Sequence, residues 1–179
     1  LYNINLVKKL KKASGLKDLI VVEGYMDTLS LFQAGFRNVV ASMGTALTKD
    51  QARLAKRYAD SVYISYDGDF AGQKGAIRGL EILRDEQINV RVVPLPEGLD
   101  PDDVIKRQGS EGYQKCLDAA MPLIDFKLEV ARRKYDLTKT EERRSYIAEA
   151  LKIIREADSE SLKEELLKQL RDRTGVTYE

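Results

Sequence analysis

Leu19-Ile-Val-Val22, followed at once by Glu23-Gly24, is the stretch from which the fold is read. A continuous apolar run rich in β-branched residues suits a strand buried on both faces, the usual state of a parallel strand covered by helices. Similar short runs lie at Val39-Val40, at Val62-Tyr-Ile-Ser-Tyr66 and from Val90 to Val93, the last closed by Pro94 and Pro96. Helical patterns separate them. One runs from Thr28 to Ala34 and stops at Gly35. Another runs from Lys49 to Ala59 and opens on the capping box Thr48-Lys-Asp-Gln51. A third runs from about Ala71 to Glu86. Strands alternating with helices predict an α/β domain with a mainly parallel sheet of about four strands.

Beyond Met121-Pro122 the pattern is helical and highly charged as far as Arg173, with breaks near Leu137-Thr-Lys-Thr140 and Asp158-Ser159. About three helices fit. Ile147, Leu151 and Ile154 share one face at helical spacing. Ser161-Leu-Lys-Glu164 reads either as a capping box or as part of a helix that begins at Ser159. The expected organisation is an α/β domain over residues 1–120 and a helical subdomain over 121–179. Leu1 in place of Met reads as a piece of a longer protein.

Composition limits the chemistry. Charged residues make up 33% of the chain, but the net charge is +1, so any polyanion-binding surface must be a local patch. The single cysteine, Cys116, agrees with a reducing cytosol, and no run has transmembrane length. The chain has no histidine, which removes Ser-His-Asp and Cys-His catalysis and zinc sites that need imidazole. A catalytic metal would have to sit on oxygen ligands, which points to Mg²⁺, Mn²⁺ or Ca²⁺.

The acidic residues that matter follow strands: Glu23 after the first, Asp67 and Asp69 after the third, Asp100 and Asp102 after the fourth. In a parallel sheet all strand C-termini share one edge, where ligands bind. Groups far apart in sequence should therefore converge there. Crowded carboxylates repel unless some are protonated or a divalent cation neutralises them. Gly24, Gly68 and Gly72 allow close backbone approach at these turns. Each signal alone is ordinary: a Glu-Gly or Asp-Gly-Asp is a common turn, and Asp102 and Asp103 suit a helix start. Their combined order points to metal-assisted phosphoryl or nucleotidyl transfer.

This order resembles the Toprim domain shared by bacterial primases, type IA and type II topoisomerases and some nucleases. The similarity is closest to bacterial DNA primases, through Val21-Val-Glu-Gly-Tyr-Met-Asp27, Ala41-Ser-Met-Gly-Thr45, Tyr66-Asp-Gly-Asp-Phe-Ala-Gly72 and Asp100-Pro-Asp102, with Leu1-Tyr2 leading in. The resemblance implies a compact, Rossmann-like Toprim domain followed by the helical bundle of the primase catalytic core. It implies Mg²⁺ or Mn²⁺ held by Asp67, Asp69, Asp100 and Asp102, with Glu23 as ligand or general acid/base and Asp27 nearby. The implied activity is synthesis of short RNA primers from ribonucleoside triphosphates on a single-stranded DNA template, in the cytoplasm at the replication fork. The zinc-binding domain, the N-terminal core subdomain and the helicase-binding domain of such primases are expected to be absent, so the replicative helicase would be met elsewhere. An isolated segment of this kind is expected to bind metal and to be weakly active or inactive. The alternatives are another Toprim enzyme, a nuclease or topoisomerase cleavage module, or a non-catalytic nucleotide-binding module.

Basic residues offer phosphate contacts at Lys8, Lys9, Lys11 and Lys12, at Lys49, Arg53, Lys56 and Arg57, and at Lys74 and Arg78. A charged helix face is more often simply solvated. Tyr63 and Tyr66 read as strand-packing residues, Met26 and Met43 as core filler, and Cys116 as a small buried apolar residue. Tyr25 stays open between base stacking and packing.

Overall fold

The computed structural model describes residues 1–43, 47–68 and 70–176. They form two compact units, Leu1–Leu123 and Ile124–Glu179. In the first, the strands are β1 (Asp18–Val22), β2 (Val39–Ala41), β3 (Ser61–Ile64) and β4 (Asn89–Val92). The helices are α1 (Ile4–Ser14), α2 (Tyr25–Gln33), α3 (Lys49–Lys56), α4 (Phe70–Asp85) and α5 (Pro101–Asp118). The sheet order is β2-β1-β3-β4, and every neighbouring pair is parallel.

The opening run behaves as its composition requires. Leu19, Ile20, Val21 and Val22 are all buried. Side chains alternate across a strand, so burial of all four means that both faces are covered. Ile20 and Val22 join Leu31, Val39, Ala41, Val104 and Tyr113 in one apolar cluster, with α2 packed against α5. α4 packs on β3 and β4 and against α3, while α1 packs on β2.

Each strand was placed in the sequence to within two residues of where it lies. α3 opens on the expected capping box: Thr48 Oγ1 accepts from Gln51 N at 3.2 Å, and Gln51 Oε1 accepts from Thr48 N at 3.0 Å. Two differences stand out. Helix α1 occupies a stretch read only as a basic run, and α2 begins at Tyr25 rather than Thr28. The cap of α2 is Gly24, which offers no side-chain oxygen and so leaves no signal in the sequence. α5 runs through Gly109, whose φ of 68° bends the helix at a conformation that glycine adopts freely.

The outer side of each edge strand holds one antiparallel bridge. Tyr2 pairs with Ala41 on β2, and Met121 pairs with Val92 on β4.

The second unit contains α7 (Thr140–Ile154), α8 (Glu160–Thr174) and all but the first residue of α6 (Leu123–Arg133). Its core includes Tyr146, Ile147, Ala150, Ile154, Leu166 and Leu170. α8 is capped by Ser159, whose hydroxyl accepts from Leu162 N at 3.2 Å, so Ser161 lies inside the helix. Among the described residues no helix is long and apolar enough to cross a membrane.

Candidate functional site

Three loops leave the C-terminal edge of the sheet. The loop after β1 carries Glu23, and the first turn of α2 carries Asp27. The segment after β3 carries Asp67, and the loop after β4 leads to Asp100 at the cap of α5. Backbone hydrogen bonds tie the three together. Asp67 N donates to Glu23 Oε1 at 3.4 Å. Gly68 N donates to Leu99 O at 3.0 Å. Asp102 N donates to Asp27 Oδ1 at 3.2 Å. Gly68 sits so tightly that a Cβ there would stand 2.3 Å from Pro96 O, so this turn admits no side chain without movement.

Asp27 is the electrostatic centre of the group. It is only 7% exposed. Burial pushes its carboxyl up to about 7, the Asp102 N–H partly offsets this, and repulsion from Asp100 and Asp67 adds to it. Two more polar groups are buried on this side of the core. Among the described residues Ser65 Oγ and Tyr113 OH have no hydrogen-bond partner, although Ser65 lies close enough to ease the Tyr113 phenol. Burial holds that phenol far above the usual range, and Asp27 contributes to the shift.

The remaining acidic residues have local duties. Asp100 caps α5, with Oδ1 accepting from Asp103 N at 2.7 Å. The Asp102 carboxylate accepts from Lys106 Nζ and Ser30 Oγ, which together hold it below the usual range. Asp69 lies outside the described residues. Glu23, Asp27, Asp67, Asp100 and Asp102 thus stand on the loops and helix starts that follow three strands at one edge, but among the described residues no three acidic side chains are placed to share one ion. Lys106 was readable as a helical partner of Asp102 four residues on. Ser30 was not, because its reach to Asp102 depends on the packing of α2 against α5.

Tyr66 is buried, with its hydroxyl 3.3 Å from Ser42 Oγ and its ring over Gly75 and Gly79 of α4. Tyr63 packs partly buried against the core, and so does Cys116. Met26 and Met43, expected in the core, are 51% and 49% exposed. Met26 lies in the first turn of α2 and Met43 two residues beyond β2. Tyr25 is also exposed, its ring set edge-on to Tyr2 with centroids 6.4 Å apart. The basic residues Lys8, Lys49, Arg53, Lys74 and Arg78 are all exposed, and Arg53 Nε pairs with Glu86 Oε2 at 3.2 Å.

Residues 20–105 match the Toprim-like family, and residues 124–177 match the DnaB-helicase binding domain of primase. The second match corrects the expectation that a helicase-binding segment is absent. Helical spacing identifies such a bundle but carries no information about what its exposed faces bind. A DNA primase of Clostridium acetobutylicum is 42% identical over 88% of this chain and 26% of its own length. The crystal structure of the Aquifex aeolicus primase, with zinc binding and RNA polymerase domains, superposes with a TM-score of 0.68 at 32% identity, covering 98% of this chain and 41% of that one. A DnaG primase catalytic domain bound to single-stranded DNA superposes with a TM-score of 0.68 at 32% identity, covering 93% of this chain and 54% of that one. The chain spans about a quarter of the length of the curated relative, 26%.

Proposed function

Because this chain belongs to the bacterial DNA primase family, we propose that its carboxylate edge is a divalent-metal site for nucleotidyl transfer in primer synthesis. The observation that carries this is the linkage of the segments that bear Glu23, Asp27, Asp67 and Asp100 at one sheet edge, with Asp27 repelled by Asp100 and Asp67. The donors are hard oxygens, as Mg²⁺ or Mn²⁺ requires. Mg²⁺ commonly takes one or two protein carboxylates and completes its shell with water and phosphate oxygens, so a larger protein cage is not needed. Glu23 and Asp67 would hold the ion, and Asp69, two positions after Asp67 in the sequence, is a further candidate ligand. When bound, the metal neutralises phosphate charge and activates the attacking hydroxyl.

The chain's own residues position these donors. The Asp67 N–H orients the Glu23 carboxylate, and Gly68 lets the β3 and β4 loops approach. Asp102, held by Lys106 and Ser30, fixes the start of α5 against Asp27. Substrates in this reading are ribonucleoside triphosphates, a single-stranded DNA template and the growing RNA primer. The replicative helicase would dock on residues 124–177. The setting is the cytoplasm at the replication fork.

The direct test is Mn²⁺ titration of the wild-type chain and of Asp67→Asn, followed by electron paramagnetic resonance. Loss of about tenfold or more in affinity is expected when one carboxylate ligand becomes an amide. Equal binding by the two proteins would end the proposal.

A further inference from the structure

Helix α1 carries Lys8, Lys9, Lys11 and Lys12 and contains no acidic residue. Among the described residues none of these lysines lies in an ion pair. Four lysines of the second unit, Lys127, Lys134, Lys139 and Lys163, each have a carboxylate partner, at 2.8, 2.7, 3.0 and 2.7 Å respectively. No carboxylate within α1 and no ion pair among the described residues offsets the charge of its four lysines. The helix dipole accounts for only part of it. Lys11 and Lys12 lie in the last turn, where cations are favoured, but a helix C-terminus carries only about half a negative charge.

The fold enlarges this patch by bringing α1 to the end of α3. Lys8 Nζ and Lys11 Nζ stand 5.6 and 5.8 Å from the Tyr58 ring centroid. Lys11 Nζ also donates to Arg57 O at 2.7 Å. Arg57 is exposed beside them. Lys56 donates to the Glu86 carbonyl at 2.8 Å, a neutral acceptor that leaves its charge intact. Two basic segments more than forty positions apart thus form one surface.

The surface has a direction. Tyr2, just before α1, is bridged to Ala41 at the C-terminal end of β2. Just after α1, the Lys17 carbonyl accepts from Asp60 N and Ser61 N at the start of β3. Over its 11 residues, about 16 Å, α1 therefore runs from the carboxylate edge to the opposite edge of the sheet.

We propose that α1 and the end of α3 form a track for the sugar-phosphate backbone of single-stranded nucleic acid, leading away from the carboxylate edge. A row of unpaired cations suits a polyanion, and the favourable term is counterion release. The choice of nucleic acid as that polyanion rests on the reading of the neighbouring edge as a nucleotidyl-transfer site.

Fluorescence anisotropy with a labelled single-stranded DNA oligonucleotide, over a potassium chloride series, tests the track on the 179-residue chain. The variants are Lys8→Glu/Lys12→Glu, the milder Lys8→Gln/Lys12→Gln, and Lys152→Glu on α7 as a charge control. The glutamate pair should weaken binding about tenfold or more and reduce the salt slope by about 1.4, two contacts at roughly 0.7 each for single strands. The glutamine pair should reduce the slope equally with a smaller loss. Circular dichroism and Mn²⁺ affinity should match wild type in all three. The track is refuted if the lysine variants bind DNA no worse than Lys152→Glu, or if wild type binds an acidic peptide of equal charge as tightly as DNA. Failure of Asp67→Asn to change metal affinity would remove the edge reading while leaving the measured DNA contacts of α1 in place.

Discussion

Asp27 is a carboxyl that folding makes harder to ionise. Its ordinary value is 3.8 and its folded value about 7, so between these limits the folded chain binds more protons than the unfolded one. Its contribution to stability is therefore full below about pH 4 and is lost as pH rises through about 7. Asp27→Asn removes the titration while keeping an oxygen for the Asp102 N–H. Urea denaturation should find the variant more stable than wild type at pH 8, by on the order of a few kcal/mol, with the difference closing near pH 4. Added Mg²⁺ should narrow the gap at pH 8, because a cation at the edge relieves the repulsion in wild type and has less to relieve in the variant.

At the scale of the element, Asp100 caps α5 and is also a candidate for the proposed metal site. Asp100 caps α5 through the Asp103 N–H, and Asp103 returns the bond to Asp100 N at 3.4 Å. Asp100→Ala should cost about 1 kcal/mol of stability, whereas Asp100→Asn should cost little, since Asn caps about as well. Both should weaken Mn²⁺ binding if the charge of Asp100 matters to the edge. Thermal unfolding paired with metal titration separates the two roles, and an Asn variant with unchanged metal affinity would leave Asp100 only its cap. Elements of this kind were legible in unequal measure. The strands could be read because buried parallel strands require unbroken β-branched runs, as at Leu19–Val22. α3 could be read because Thr48 and Gln51 form a side-chain cap. α1 could not, because Val7 is its one buried residue and four lysines hide a thin apolar stripe. Met26 and Met43 were misplaced because apolar character alone does not reveal whether a residue in the first turn of a helix or just past a strand faces the core. The meeting of Asp102 with Ser30 depends on helices brought together by the core, beyond any local pattern.

At the scale of the whole molecule, each of the two compact units has its own apolar cluster. Leu166 is 2% exposed within the second. Leu166→Ala should destabilise that unit by about 2–5 kcal/mol, seen as early loss of helical circular dichroism on heating. Mn²⁺ affinity measured below that transition should not change, because Glu23 and Asp67 belong to the first unit. Concerted loss of both signals would show that the units unfold as one. The bridges at Tyr2 and Met121 bear on a different hazard. Unpaired backbone at the rim of a sheet recruits strands from other molecules and seeds aggregates. Here the rim strands are three and four residues long, and each already has one residue engaged by its own chain. A concentrated solution of this protein therefore finds little vacant rim on which intermolecular pairing can begin.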